Sequence, residues 1–168
     1  MKNGGERFRP AAETGRKVKI LVLQLARLGD ILQTWPVLAA LNRQGHDVHV
    51  MVRPRFKAAL EGAPKHKTVL FETARILNPL ITRDSLAESL KILDETLHTI
   101  ESEKSDRVVN LSFSPLSSWL VREIACRVPT IEVAGYSRHS DGALAIPDDG
   151  SAYFYAQVGV NFAHTAEA

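Results

Sequence analysis

The spacing of apolar residues changes near the start of the chain, and the change predicts a boundary between two secondary-structure elements. Residues 18–24 are dominated by Val, Ile and Leu, which is typical of a buried strand. From Asp30 onward the apolar positions recur at helical spacing, so a helix is predicted over residues 30–44. These positions are Ile31, Leu32, Trp35, Leu38 and Leu41. Gly29 lies in the tight turn between the two elements, where glycine's conformational freedom is useful.

Similar changes of spacing predict the elements that follow. Further strands are expected at residues 47–53, 68–71, 107–111 and 130–133. Helices are expected over residues 54–62, over residues 83–103 and from residue 114 or 115 onward. Residues 78–81 are predicted to be irregular, residues 135–150 to form a loop, and residues 151–158 to form a last helix.

Strands that alternate with helices are typical of βαβ units. They predict a Rossmann-like α/β fold, in which a parallel sheet carries helices on both faces and its crossovers are right-handed. One such domain is expected over residues 18–168. Residues 1–17 are rich in Gly, Pro and charge and contain no segment that could face a core, so they are expected to be a disordered tail.

Composition narrows the possible partners only slightly. The chain has 168 residues, of which 45% are hydrophobic and 24% charged, as in an ordinary globular domain. Its net charge of +2 is too small to indicate a nucleic-acid partner, but a basic face would suit an anionic glycolipid or membrane surface. The six histidines lack the spacing of metal ligands, so no metal site is predicted.

The single cysteine and the N-terminal residues bear on the compartment. Cys126 has no intrachain partner for a disulfide, which fits a reducing environment, and its apolar neighbours predict a buried thiol. No apolar run approaches the length of a membrane span, and the first residues lack the apolar core of a secretory signal. A cytoplasmic protein is expected, with peripheral association at the inner membrane as an option.

Asp30 is the main candidate for chemistry, because it lies at the helix entrance on the expected carboxyl edge of the sheet. A carboxylate there could take a proton from a hydroxyl group. Aspartate is also a preferred helix N-cap, and from spacing alone the cap is the favoured role. The turn around Gly29 could instead cradle a phosphate, but its single glycine matches neither the dinucleotide fingerprint nor the P-loop.

The sequence Leu28-Gly29-Asp30, followed by Ile31, Thr34, Pro36, Leu38 and Leu41, resembles the opening motif of the family 9 glycosyltransferases. The best-known members of that family are the lipopolysaccharide heptosyltransferases. The resemblance runs from about residue 18 to residue 161. It implies the GT-B arrangement, in which two Rossmann-like domains face a cleft, and this chain resembles only the N-terminal, acceptor-binding one. It also implies that Asp30 is the general base of an inverting sugar transfer, which outweighs the cap.

The resemblance further implies the substrates. The donor would be a nucleotide-sugar, ADP-heptose, bound as a substrate by the second domain, so no cofactor is expected. The acceptor would be an anionic glycolipid of the lipopolysaccharide core. Gly29 in the motif is a candidate for contact with that acceptor.

Two further groups of residues are candidate acceptor contacts. Arg27, Arg53, Arg55 and Lys57 lie at or just after the predicted carboxyl ends of the first two strands, where arginine could bind a carboxylate or phosphate. An ordinary solvated charge cluster is an equally good interpretation. Ser112 and Ser114 follow the fourth strand and could bond a sugar hydroxyl, although a helix cap is the favoured role of Ser114.

The missing second domain leaves two interpretations of the whole chain. If it is a fragment of a two-domain transferase, the 168 residues alone are expected to transfer no sugar, because positioning of both substrates supplies much of the rate. The alternative is a stand-alone, non-catalytic α/β module that binds a glycan or a partner protein through the same sheet edge. That alternative predicts a homodimer or a partner that covers the exposed cleft face.

Overall fold

A computed structural model describes residues 16–83, 85–146 and 152 of the chain. Its main sheet has five parallel strands in the order β3-β2-β1-β4-β5. The strands are β1 Lys19–Leu23, β2 Asp47–Val52, β3 Lys67–Leu70, β4 Arg107–Asn110 and β5 Glu132–Gly135. A small antiparallel pair follows, β6 Ser137–Arg138 and β7 Leu144–Ala145. The predicted Rossmann-like α/β fold is confirmed.

Helices cover both faces of the sheet. The helices are α1 Leu28–Gln33, α2 Trp35–Arg43, α3 Thr73–Arg83, α4 Leu86–Ser102 and α5 Pro115–Arg127, with a 3₁₀ helix at Pro54–Leu60. Successive β1 residues point to opposite faces, so Ile20 and Val22 join one apolar core while Leu21 and Leu23 join the other. The first core is closed by α1, α2 and the 3₁₀ helix, and the second by α3, α4 and α5.

The helix predicted over residues 30–44 is two helices. It begins earlier, at Leu28, and is interrupted at Thr34, which ends α1 and precedes α2. Pro36 has no N–H group and is accommodated in the first turn of α2. At the end of α1, the carbonyl of Ile31 accepts from both the Thr34 N–H, at 3.0 Å, and the Thr34 hydroxyl, at 2.6 Å.

The prediction of irregular structure at residues 78–81 is wrong, because these residues belong to α3. Pro79 lies inside that helix and is buried against the rest of the domain. After it, the N–H of Leu80 donates to the Ser89 hydroxyl on α4 at 3.1 Å, so a neighbouring helix supplies its hydrogen-bond partner. The tertiary contact thus stabilises a helix that the local sequence disfavours.

Other boundaries shift by smaller amounts. The helix predicted over residues 83–103 begins at Leu86, with Ser85 as its N-cap, and the fifth strand begins two residues later than predicted. The segment predicted as a loop contains β6 and β7. The predictions for the tail, residues 1–17, and for a helix over residues 151–158 lie outside the described residues, apart from positions 16, 17 and 152.

Cys126 is exposed on α5, so the prediction of a buried thiol is wrong. The buried stripe of α5 consists of Ser117, Ser118, Leu120, Val121 and Ile124. These positions recur at helical spacing, and residue 126 is turned away from them. Apolar neighbours in sequence did not reveal which side of the helix faces the sheet.

His49 is expected to make the free energy of unfolding depend on pH in the acid range. It lies in β2, is 4% exposed and is surrounded by Asp47, Lys19, Glu103 and Lys67. Burial lowers its pKa below the ordinary 6.5, although the nearby carboxylates of Asp47 and Glu103 act in the opposite direction. The folded state therefore favours neutral His49, whereas the unfolded chain takes up the proton near pH 6.5.

The free energy of unfolding is consequently expected to fall as the pH drops below 6.5, and to change little above it on account of this residue. Urea denaturation of the wild type and of His49→Gln, followed from neutral pH to about pH 5, measures this contribution. The variant should lose less stability over that interval. His98→Gln, at an exposed histidine on α4, is the matched control and should follow the wild type. Parallel curves for wild type and His49→Gln would contradict the assignment.

Candidate functional site

The strand order reverses between β1 and β4, which lie side by side although many residues separate them in sequence. In open parallel sheets, ligands bind in the crevice beyond the carboxyl ends of the strands at such a reversal. Two turns meet here, one leading from β1 into α1 and the other from β4 into α5. This edge of the sheet is therefore the candidate site, and it contains the Leu28-Gly29-Asp30 segment.

Asp30 is the third residue of α1, not its N-cap. Arg27 occupies the N-cap position, and its backbone N–H donates to Asp30 Oδ2 at 2.9 Å. Asp30 thus satisfies a free donor at the start of the helix from inside the first turn, as the acidic residue of a capping box does. Within the described chain Oδ1 makes no hydrogen bond, and the side chain is half-buried. One oxygen is held in place, and the other is available to accept a proton.

A buried network of polar side chains holds the turn between β1 and α1 in place. The Gln24 amide nitrogen donates to the carbonyl oxygens of Asp30 and Leu111, both at 3.5 Å. The Ser112 hydroxyl donates to Gln24 Oε1 at 2.9 Å and accepts from the Leu25 N–H at 2.6 Å. These bonds join the turn after β1 to the turn after β4, and so fix the position of Asp30 relative to both.

Asn110 extends the network toward β5. Its side-chain nitrogen donates to the Tyr136 carbonyl at 2.8 Å, and its Oδ1 accepts from the Ser112 N–H at 3.0 Å. The Ser117 hydroxyl donates to the Ser112 carbonyl at 2.7 Å. Asn110, Gln24 and Ser117 are all buried, and sequence analysis missed all three. The available signal was that Gln24 and Asn110 are polar residues that directly follow the apolar strand residues Leu23 and Val109.

The two serines predicted to contact an acceptor have other roles. Ser112 is 1% exposed and its hydroxyl is engaged in the network, so it supports the turns and does not face a ligand. Ser114 is the N-cap of α5, and its hydroxyl accepts from the Ser117 N–H at 3.1 Å. The cap interpretation of Ser114 is confirmed.

Replacing Ser112 with Ala is expected to lower the free energy of unfolding by about 1–3 kcal/mol, because it leaves the buried Leu25 N–H without a partner and removes one of the two donors to Gln24 Oε1. Urea denaturation measures the loss. Ser102→Ala, at an exposed serine of α4, is the control and should change stability by about 0.5 kcal/mol or less. Similar losses for the two variants would show that the network contributes no special stability.

The four predicted cationic contacts divide into two pairs. Arg27 and Arg53 follow the neighbouring strands β1 and β2 at the candidate edge. Arg55 and Lys57 are exposed in the 3₁₀ helix, which packs against α1, and the Arg55 guanidinium lies over the Phe56 ring at 4.5 Å. The structure thus brings Arg27 and Arg53 to the edge itself, and Arg55 and Lys57 to its flank.

Gly29 is exposed at the second position of α1 and does not have a positive φ, so the expectation that its turn needs glycine's conformational freedom is wrong. A Cβ atom built there would meet no atom within 4 Å. The glycine instead leaves the space beside Asp30 clear of side chains.

Apolar side chains flank the polar turns on both sides. Leu28 and Leu32 on α1 are 50% and 47% exposed. Phe113, in the turn before α5, is 43% exposed, and Leu116, in the first turn of α5, is 38% exposed. The Phe113 ring contacts Tyr136 edge to face, with ring centroids 4.9 Å apart. Exposed apolar residues grouped around a crevice are typical of a surface that a ligand or another protein domain covers.

Other parts of the described structure are weaker candidates for a functional site than this edge. A groove of about 680 Å³ lies at the opposite, amino edge, but Arg107 and Arg127 in its lining are paired with Glu132 and Asp94. Among residues 16–83, 85–146 and 152, no three His, Cys, Asp or Glu side chains are grouped closely enough to hold a metal ion. None of the helices described is both long and apolar enough to cross a bilayer.

Comparison with solved structures places the fold among glycosyltransferases of the GT-B type. The structure of E. coli heptosyltransferase WaaC with ADP-2-deoxy-2-fluoro heptose matches with a TM-score of 0.51 and 16% identity, over 71% of this chain and 35% of that one. A glycosyl transferase family 9 protein from Veillonella parvula DSM 2008 matches with a TM-score of 0.47 and 22% identity, over 64% and 29%. The calicheamicin glycosyltransferase CalG4 matches with a TM-score of 0.47 and 15% identity, over 75% and 34%.

The match to WaaC shows a shared fold. The chain spans about a third of the length of each of these three proteins. No family model matches the sequence, and no curated protein matches it.

Proposed function

We propose that this chain is the acceptor-binding domain of an inverting glycosyltransferase similar to family 9, which transfers heptose from ADP-heptose to an anionic lipopolysaccharide-core glycolipid. The observation that carries the proposal is the geometry of Asp30. Its carboxylate lies at the switch point of the sheet, with Oδ2 bonded to the Arg27 N–H and Oδ1 without a hydrogen bond in the described chain. The similarity of fold to a heptosyltransferase supports the class of reaction.

The chemistry asked of Asp30 is the removal of one proton. As the acceptor oxygen attacks the anomeric carbon of the donor sugar, Oδ1 takes the proton of that hydroxyl. A bond forms between the acceptor oxygen and the anomeric carbon, while the bond from that carbon to the phosphate oxygen of the nucleotide breaks. The configuration at the anomeric carbon is thereby inverted, and the nucleoside diphosphate leaves with the electron pair of the broken bond. The bond from Arg27 keeps the carboxylate oriented during the attack.

The acceptor is held, in this proposal, by the charges and apolar residues around Asp30. Arg27 and Arg53 attract its anionic groups, while Leu28 and Phe113 cover its apolar parts. The protein would act in the cytoplasm, at the surface of the inner membrane, with no nucleic acid as partner. No cofactor is required, because the nucleotide-sugar is itself the second substrate and is bound by another domain.

Transfer assays test whether this chain binds only the acceptor and needs a second domain to bind the donor. Labelled ADP-heptose and a core oligosaccharide are incubated with the 168-residue chain alone and with a protein in which a donor-binding domain accompanies it. The two-domain protein should transfer sugar and the chain alone should not, because a single domain positions only one of the two substrates. Donor-dependent transfer by the chain alone would contradict the proposal.

A stand-alone binding module is the second candidate. It is favoured by the same bond from the Arg27 N–H, since capping by itself gives Asp30 a structural role without chemistry. The exposed apolar residues around the edge would then be covered by a second copy or a partner protein. Sedimentation of the purified chain tests the first of these: a dimer would favour a module that pairs with a second copy, because the transferase domain does not require one.

A further inference from the structure

Two polar side-chain atoms are enclosed without a hydrogen-bond partner near the carboxyl ends of the neighbouring strands β2 and β3. They are Arg53 Nε and Thr73 Oγ1. Arg53 directly follows β2, and Thr73 is the first residue of α3, shortly after β3. Native proteins leave few buried polar atoms unsatisfied, and those that remain call for an explanation.

The strand register brings the two residues to the same part of the edge. Val52 pairs with Leu70, and the N–H of Phe71 donates to the Val52 carbonyl at 2.9 Å, so the two chains remain adjacent beyond the strands. Met51 and Phe71 point into the same apolar core. Because side chains alternate along a strand, Arg53 begins on the face of Met51, which α3 covers from Thr73 onward.

The charge of Arg53 is also uncompensated within the described residues. Four other arginines have carboxylate partners on a different turn or element: Arg75 pairs with Glu95, Arg83 with Glu88, Arg107 with Glu132 and Arg127 with Asp94. Arg27, Arg43, Arg55 and Arg138 form no carboxylate pair within the described residues, but none of them has a buried nitrogen without a hydrogen bond. Arg53 forms no such pair there. A guanidinium can only donate hydrogen bonds, and a threonine hydroxyl can donate one, so the group that satisfies both must be rich in acceptors.

We propose that Arg53 and Thr73 form a binding site for an oxyanion, either a carboxylate or a phosphate. The guanidinium supplies N–H donors and positive charge, and the hydroxyl supplies a further donor. The site lies one strand away from β1, on the same edge of the sheet as Asp30. That the oxyanion belongs to the sugar acceptor rests on the proposed function, whereas the binding of an oxyanion does not.

Nuclear magnetic resonance titration of the isotope-labelled chain with inorganic phosphate, and separately with acetate, tests the site. Amide signals of Arg53 and of residues 71–75 should shift as one of these anions binds. Arg53→Gln and Thr73→Val should each weaken binding, by about tenfold or more for the charged donor. Arg55→Gln is the matched control, since Arg55 is an exposed arginine two residues away, and it should change binding by about twofold or less.

The two anions separate the possible sources of the ligand group. Tighter binding of phosphate indicates a phosphorylated ligand, and tighter binding of acetate a carboxylated one. Arg53→Lys keeps the charge but not the planar donors, so it should also weaken binding and serves if Arg53→Gln does not fold. Equal loss in Arg55→Gln, or shifts located elsewhere with either anion, would overturn the proposal. Asp30→Asn should leave anion binding intact, so failure of the transferase mechanism would not be mistaken for failure of this site.

Discussion

Asp30→Asn is expected to reduce sugar transfer by about 10²–10⁴-fold in the two-domain protein, with the loss in kcat and little change in the KM for the acceptor. The amide oxygen of Asn can still accept the hydrogen bond that the Arg27 N–H donates to Asp30 Oδ2. The helix start is therefore preserved while the proton acceptor is lost. Initial rates with labelled donor, measured at saturating acceptor, give the effect.

A second substitution at the same position separates catalysis from capping. Asp30→Ala removes both the proton acceptor and the bond to Arg27, so it should also lower the free energy of unfolding by about 1 kcal/mol. Asp30→Asn should retain most of that stability. If Asp30→Asn transferred sugar at nearly the wild-type rate, Asp30 would be a capping residue alone and the proposed mechanism would be wrong.

Gly135→Ala is expected to lower the free energy of unfolding by about 2–4 kcal/mol. Gly135 ends β5 with φ +84°, a conformation that residues with a side chain rarely adopt. A Cβ atom would also lie 2.2 Å from the backbone oxygen of Asn110, its register partner on β4. The strands must separate to admit the methyl group, which would also disturb the bond from Asn110 to the Tyr136 carbonyl. Urea denaturation measures the effect.

Gly45→Ala is the matched control for that prediction. Gly45 has nearly the same φ, +81°, but a Cβ atom there would meet nothing within 4 Å. Only backbone strain remains, so the loss should be about 1–2 kcal/mol. The excess in Gly135→Ala then reports the close approach of β4 and β5 at the candidate edge. Equal losses in the two variants would mean that this approach is not tight.

The layered fold could be predicted because each strand is marked locally. All five strands of the main sheet coincide with apolar segments, and alternation with helices was enough to infer a parallel sheet. Two of the predictions that failed concern helix boundaries. The interruption at Thr34 and the helix through Pro79 depend on contacts with other elements, such as the bond from the Leu80 N–H to Ser89, which local spacing does not encode.

The candidate site could be predicted only in outline. Asp30 and Arg53 were recognisable because they follow strands, and the parallel sheet brings strand ends to one edge. The hydrogen-bond network around Gln24 and Ser112 could not be recognised from the sequence, because Ser112 bonds to Gln24, which lies 88 positions earlier in the chain. A serine after a strand looks the same in sequence whether it faces a ligand or is buried against another turn. The three-dimensional packing decides between these roles.

The central claim is that the carboxyl edge of β1 and β4 binds a sugar acceptor. Titration of the isotope-labelled chain with a delipidated lipopolysaccharide-core oligosaccharide, followed by amide chemical shifts, tests it most directly. We expect the largest shifts in the turns around Asp30 and Phe113 and at Arg53, and similar affinity in Asp30→Asn. Shifts confined to the amino-edge groove around Lys104 and Arg127, or no binding at all, would contradict the claim.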